Sequence, residues 1–229
     1  MEGRLSVVAT PIGNLEDITL RALRVLKEVD YVLCEDTRVT GKLLSHHGIK
    51  AKLRRYDAHA SENAHADILK DLSGGRHIAL VSDAGTPAVS DPGVFLIARV
   101  REELPSVRID AIPGPSALTA AFSIAGITGN SFAFLGFVPH KKGRETFFKN
   151  LLAFDIPVAF YESTHRIMKA LHSLEDHLGD TYKVTIAREL TKMHEEVVSG
   201  SPHEVFMYFT EHSDHVRGEF VVFVSKRPL

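Results

Sequence analysis

Over its first 113 residues the chain alternates short β-rich runs with longer amphipathic runs, and this alternation limits the fold more than any other feature. Residues 5–9, 31–35, 52–56, 77–81 and 108–112 read as strands. Between them, residues 18–28 carry Leu20, Leu23 and Leu26 on one face, and 40–45, 62–72 and 92–103 are also helical, with Ser61 as N-cap of the third. Strands that alternate with helices predict a mostly parallel sheet covered on both faces. Ligands of such sheets bind beyond the carboxyl ends of the strands.

The stretch "IPGPSA" at 112–117 then punctuates the chain with two prolines and a glycine, and Ser116 can cap a following helix. We read residues 1–113 as an N-terminal α/β domain and 117–229 as a C-terminal α/β domain. In the second, strands are expected at 132–136, 157–162, 183–188, 195–199 and 219–224, and helices at 142–152, 164–178 and 202–211. Ile167, Leu171, Leu174 and Leu178 form one helical stripe. The last two strands flank a single short helix, which predicts a mixed sheet.

Composition narrows the function. The chain has 229 residues, 44% hydrophobic and 24% charged, as expected of packed domains rather than a disordered chain. No apolar run approaches the roughly 20 residues of a membrane span, and the N-terminus lacks a charged-then-apolar signal pattern. The lone Cys34 excludes an internal disulfide framework and suits a reducing, cytoplasmic setting; inside "YVLCED" it reads as a buried structural thiol. The thirteen histidines show no metal-ligand spacing and no H-E-x-x-H, so no metal is expected. A formal net charge of −2 means that nucleic-acid binding would need a local basic patch.

The loops carry the chemistry. "VSDAGTPAVSDPG" at 81–93 is long, small-sided and acidic. Asp91 precedes Pro92 and reads as the start of a helix. Asp83 leaves the fourth strand on the ligand side, followed by Ala84, Gly85 and Thr86, small enough for a ligand to lie on the backbone; the alternative is a turn whose Asp bonds its own backbone. "ATPIGN" after strand one, "EDTRVTG" after strand two and "IPGPSA" after strand five repeat this design. Together they suit an adenosine-like ligand, although G-x-G-x-x-G and the Walker pattern are both missing.

These motifs carry a family resemblance. "TPIGNLEDIT", "CEDTR", "SDAGTPAVSDPG", "PGPSA", "GFVP", "YESTHR", "ARELTKMHEE" and "GEFV" follow the order and spacing of the tetrapyrrole-methylase superfamily. The chain most resembles its ribosomal branch, the bacterial 16S ribosomal RNA cytidine-2′-O-methyltransferases, over nearly its whole length. The resemblance implies S-adenosyl-L-methionine as cofactor, two α/β domains with the cofactor in the cleft between them, a homodimer, and 16S ribosomal RNA within the small ribosomal subunit as partner. Members of this branch often continue past "GEFV" with a basic helical tail; this sequence stops at Leu229, so any substrate contact made by such a tail is absent or was removed. Carried over by position, cofactor contacts fall on Pro11, Ile12 and Gly13, on Ser82, Asp83, Ala84 and Gly85, and on Ser116 and Ala117. By resemblance alone they also fall on Tyr161, Glu162, Ala187, Arg188 and Glu189.

A ribose hydroxyl is a poor nucleophile, so a base or a cation near the developing alkoxide would help. "YESTHR" offers Glu162 and His165 as bases and Arg166 as a phosphate holder; equally, Ser163 or Thr164 caps a helix there and His165 and Arg166 are solvated. Asp36 and Arg38 read either as part of the cleft or as a structural ion pair. "PHKKGRETFFKN" at 139–150 is the densest basic stretch, and Lys141, Lys142 and Arg144 are the candidate RNA contacts. Phe147 and Phe148 could stack on bases, with at least one expected in the core, and Arg54 and Arg55 could extend the patch. Two other functions fit less well: a carbon methyltransferase acting on a tetrapyrrole precursor, and a non-catalytic nucleotide sensor.

Overall fold

The computed structural model describes residues 3–227. The chain divides into two compact units, Met1–Ser116 and Ala117–Leu229.

In the first unit, β1 (Arg4–Val8), α1 (Leu20–Glu28), β2 (Tyr31–Cys34), α2 (Thr37–His46), β3 (Leu53–Arg55), α3 (Glu62–Ser73), β4 (His77–Leu80), α4 (Gly93–Glu103) and β5 (Arg108–Ile112) follow in order. The five strands form one sheet in the order β3-β2-β4-β1-β5, with every pairing parallel. Successive strand residues point to opposite faces, and both faces are apolar. Leu5, Leu33, Ile78 and Leu80 pack against Ile68 and Leu72 of α3 and Leu96 and Val100 of α4. Val8, Val32, Cys34 and Ala79 pack against Val25 and Leu26 of α1 and Leu44 of α2. Cys34 is fully buried there, and burial pushes its thiol pKa up, as suits a structural thiol.

The helix starts follow from capping. Thr19 accepts from the Ala22 N–H, and Ser61 accepts from the Ala64 N–H. Helix α2 begins at Thr37, three residues before the sequence-based expectation, because Asp36 accepts from the Arg38 N–H and sets an earlier start. At α4, Asp91 accepts from the N–H of Gly93 and from that of Ala88, both at 2.8 Å. Its carboxylate thus holds the helix start and the turn before it, where Ala88 has a φ of 66°.

The second unit contains α5 (Ala117–Ile124), β6 (Ala133–Phe137), α6 (Arg144–Asn150), β7 (Val158–Ser163), α7 (Ile167–His177), β8 (Tyr182–Arg188), β9 (Glu196–Gly200), α8 (Pro202–Glu211) and β10 (Glu219–Lys226). Its sheet runs β6-β7-β10-β8-β9 and is mixed: β6 and β7 are parallel and the other pairings antiparallel. Phe160, Ile186, Phe220 and Val222 pack with Phe148 of α6, with the expected stripe Ile167, Leu171 and Leu174 of α7 and Leu178 after it, and with Phe209 of α8. On the opposite face, Phe223 meets Phe122 of α5 and Phe132 at ring-centroid distances of 5.9 and 6.3 Å. Helix α8 opens with a reciprocal capping box between Ser201 and Glu204 and with Pro202 in its first turn.

Two helices of this unit are shorter than expected. Helix α6 ends at Asn150 and continues as a 3-10 turn, Leu151–Ala153. Helix α7 starts at Ile167 because the residues before it are drawn into other bonds: the Thr164 hydroxyl donates to the Gly218 carbonyl at 2.5 Å, so it caps nothing.

Candidate methyl-donor site and basic loop

Neighbouring strands of the first sheet place their C-terminal loops side by side, and these loops are bonded to one another. The Thr10 N–H donates to the Gly85 carbonyl at 2.9 Å, and the Gly85 N–H donates back to the Thr10 carbonyl at 3.1 Å. The Thr10 hydroxyl, itself buried, donates to the Ser82 carbonyl at 3.1 Å. On the β5 side, the Thr86 hydroxyl donates to the Pro115 carbonyl at 3.0 Å. On the β2 side, the Asp36 N–H donates to Asp83 Oδ1 at 3.0 Å. The loops after β2, β4, β1 and β5 therefore form one continuous edge.

Small residues are required along this edge. Gly85 has a φ of +84°, and a Cβ there would lie 3.2 Å from Ile12 Cγ2. A Cβ at Gly114 would lie 3.0 Å from that of Ala9. Pro11 and Ile12 are buried beneath the edge, whereas Gly13, Asp83 and Ala84 are exposed on it. Ser82 is buried, its hydroxyl directed at the carbonyls of Ala84 and Gly85, 3.3 Å from each. Ser116 ends the first unit and Ala117 opens α5. Thr10 and Thr86 tie the edge together, a role that the sequence signals only by a hydroxyl residue inside each small-sided loop.

Beside the edge lies a cavity of about 530 Å³ lined by Glu35, Asp36, Arg38, Arg55, Asp57 and Asp83, among others. Burial, followed by the carboxylates of Asp83, Asp91 and Asp57, pushes the Glu35 carboxyl up, against a backbone hydrogen bond from Asp83 that lowers it. Hydrogen bonds from the Arg38 side chain and backbone hold Asp36 down at about 2. The Asp36–Arg38 pair is a 2.6 Å ion pair, as one of the two sequence readings had it. Arg54 and Arg55 do not extend a basic patch: Arg54 pairs with Asp67 at 3.3 Å, and Arg55 pairs with Asp57 at 2.6 Å.

In the second unit the expected site residues separate by face. Tyr161, Val221 and Ala187 are in register across β7, β10 and β8, as are Glu162, Phe220 and Arg188. Phe220 belongs to the helix-covered core, so Glu162 and Arg188 point to that side and Tyr161 and Ala187 away from it. The four side chains cannot converge on one ligand. Arg188 is instead buried and held by Glu196 at 2.5 Å. Glu196 also accepts from Tyr208, whose phenol is pushed up to about 12 chiefly by that bond. Glu189 has a φ of 48° and accepts from Lys192 Nζ at 2.8 Å.

"YESTHR" likewise differs from a general-base arrangement. The Glu162 side chain is fully buried, with Arg166 Nη2 at 2.8 Å from Oε1 and Arg144 Nη1 at 3.5 Å from Oε2. A fully buried carboxylate enclosed by two guanidinium groups is out of reach of a substrate. Arg166 also donates through Nη1 to the Val138 carbonyl at 2.8 Å and through Nε to Ser163 Oγ at 3.3 Å, so its guanidinium is engaged within the unit. His165 is exposed in the turn before α7.

Arg144 is no surface cation either. Its guanidinium lies 5.1 Å from the Phe148 ring centre, and Nη2 is buried without a hydrogen-bond partner. Phe148 is fully buried and Phe147 packs against the same core. Lys141 and Lys142 are exposed, with no ion pair among the described residues, so the free cations of the basic stretch reduce to these two.

Two α/β units, the first with a parallel sheet edged by small-residue loops and the second with a mixed sheet, define a class of two-domain α/β protein. The fold is shared with cobalt precorrin-4 methyltransferase of cobalamin biosynthesis, at a TM-score of 0.71 and 17% identity, covering 97% of this chain and 94% of that one. It is also shared with uroporphyrin-III C-methyltransferase from Thermus thermophilus complexed with S-adenosyl homocysteine, at 0.65 and 19%, covering 97% of each chain.

The chain belongs to the tetrapyrrole (corrin/porphyrin) methylases, whose family profile matches residues 4–205. It is 41% identical over 223 residues to the ribosomal RNA small subunit methyltransferase I of Thermotoga maritima, covering 97% of this chain and 98% of the relative. It is 42% identical over 225 residues to the protein of that name from Escherichia coli O157:H7, covering 98% of this chain and 78% of the relative. The chain is a methyltransferase of the S-adenosylmethionine-dependent kind.

Proposed function

We propose that the protein methylates the ribose 2′-oxygen of a cytidine in 16S ribosomal RNA of the small ribosomal subunit. The observation that carries this reading is the bonded edge of loops after β2, β4, β1 and β5, next to a cavity that shares Asp83 with it. Relatives at 41–42% identity named for the small-subunit RNA support the choice of substrate over a tetrapyrrole.

The edge fits the methyl donor. Exposed Gly13 and Ala84 leave backbone groups uncovered, and Gly85 and Gly114 leave no room for added side chains. When bound, S-adenosylmethionine supplies a methyl group already activated on sulfur. The protein's share is alignment of the acceptor oxygen for in-line displacement and a place for the hydroxyl proton. The acceptor nucleotide enters the 530 Å³ cavity. There Glu35, which has no ion pair among the described residues, accepts from the cytosine amino group. The cavity's carboxylates are the groups placed to receive the proton.

Lys141 and Lys142 supply phosphate contacts. The protein acts in the cytoplasm as a homodimer; the half-exposed Phe137 on β6 supports an apolar contact between copies, and light scattering tests it. Among the described residues no helix is long and apolar enough to cross a membrane.

Calorimetry with S-adenosylhomocysteine tests the donor site. The wild-type protein should bind it, and Gly85→Val, which forces a branched side chain into left-handed backbone against Ile12, should not. Equal binding by both would place the donor elsewhere.

A further inference from the structure

We infer that Glu162 is a positioning residue that sets the basic loop 139–143 by clamping both of its ends through arginines; this rests on the reading of Lys141 and Lys142 as RNA contacts. Val138, the residue before the loop, is buried, and its carbonyl accepts from Arg166 Nη1 at 2.8 Å. Arg144, the residue after the loop, opens α6 and points Nη1 at Glu162 Oε2, 3.5 Å away. Both arginines meet on one fully buried carboxylate, whose Oε1 takes Arg166 Nη2 and the Ser163 N–H, each at 2.8 Å.

Between the clamped ends, Lys141 and Lys142 are exposed, and Gly143 turns the chain at a φ of +87° into α6. The Lys141 carbonyl accepts from the Arg144 N–H at 3.3 Å, so the lysine pair is tied to the same arginine. Exposed lysines on a loose loop would lose much conformational freedom on meeting phosphates; a fixed loop has already lost it. The clamp has one weak point. Two guanidinium groups share one carboxylate, and Arg144 Nη2 is buried without a partner. Neutralising Glu162 leaves two cations facing each other in a buried place, and the loop ends separate.

The test is Glu162→Gln, with Arg144→Met as a second variant that keeps the packing on Phe148 and removes the charge. Both are compared with wild type in amide hydrogen exchange and in methylation of purified small subunits. The clamp predicts faster exchange at residues 139–143. It also predicts a rise of roughly tenfold in KM for subunits with kcat changed less than twofold, the signature of lost binding rather than lost chemistry. In the Lys141→Ala/Lys142→Ala background, Glu162→Gln should add nothing further, because the cations it positions are gone.

Unchanged exchange in the loop in both variants, or a full additional KM effect in the double-lysine background, overturns the clamp. A fall in kcat with KM unchanged also overturns it and returns Glu162 to the chemistry. If Lys141→Ala/Lys142→Ala methylates subunits with the wild-type KM, the basic-loop reading itself fails and Glu162 positions nothing for RNA.

Discussion

The backbone N–H of Asp36, after β2, donates to the side chain of Asp83, after β4, at 3.0 Å. One carboxylate oxygen therefore joins the loop after β2, which lines the cavity, to the loop after β4, which belongs to the bonded edge. Asp83→Asn keeps an oxygen acceptor at that place, and Asp83→Ala does not. Calorimetry should show S-adenosylhomocysteine bound close to wild-type strength by the Asn variant and about tenfold more weakly by the Ala variant, as for one lost charge-assisted bond.

Asp91 has a different task in the same loop. Its two oxygens satisfy the N–H groups of Gly93 and Ala88. Asp91→Ala leaves both without a partner and should cost about 1–3 kcal/mol in urea unfolding. Ligand binding measured on the folded variant should change little.

Asp36 gives the protein an acid-sensitive contribution. Its carboxyl has an ordinary value of 3.8 and is held at about 2 in the fold, chiefly by the Arg38 side chain. A depressed folded value means stability that is complete above 3.8 and lost as pH falls towards 2. The gap in unfolding midpoint between wild type and Asp36→Asn should therefore close as pH is lowered through that window.

Glu35 has the opposite sign. Burial raises its carboxyl above the ordinary 4.5, so the folded state penalises the ionised form. The penalty is absent well below 4.5, where the group is protonated in both states, and present at neutral pH. Glu35→Gln should unfold at higher denaturant than wild type at pH 7, with no advantage at pH 3. A variant equally stable to wild type at both values would show that burial at Glu35 carries no penalty.

The strands of both sheets and the second-unit stripe from Ile167 to Leu178 were legible in sequence, because each is written in a local period of apolar residues. The loop design was legible too: the small residues around Gly85 and the pair Asp91-Pro92 follow from backbone chemistry that acts within a few positions. What could not be read is the part decided across the sheet. Glu162 read as a base although Arg166, four positions on, pairs with it; its second partner, Arg144, eighteen positions away, reaches it only through the pairing of β6 with β7. Helix α7 starts late because Thr164 bonds to Gly218, a contact that strand β10 supplies.

Methyl transfer to a ribose of the small-subunit RNA can be read directly from labelled product. Purified protein, labelled S-adenosylmethionine and small subunits from a strain lacking this modification should be incubated beside a parallel reaction with a tetrapyrrole precursor, and the RNA digested to nucleosides. Label is expected in 2′-O-methylcytidine and none in the tetrapyrrole. Label in the tetrapyrrole, in a methylated base, or in no product while S-adenosylmethionine binds would contradict the proposed transfer.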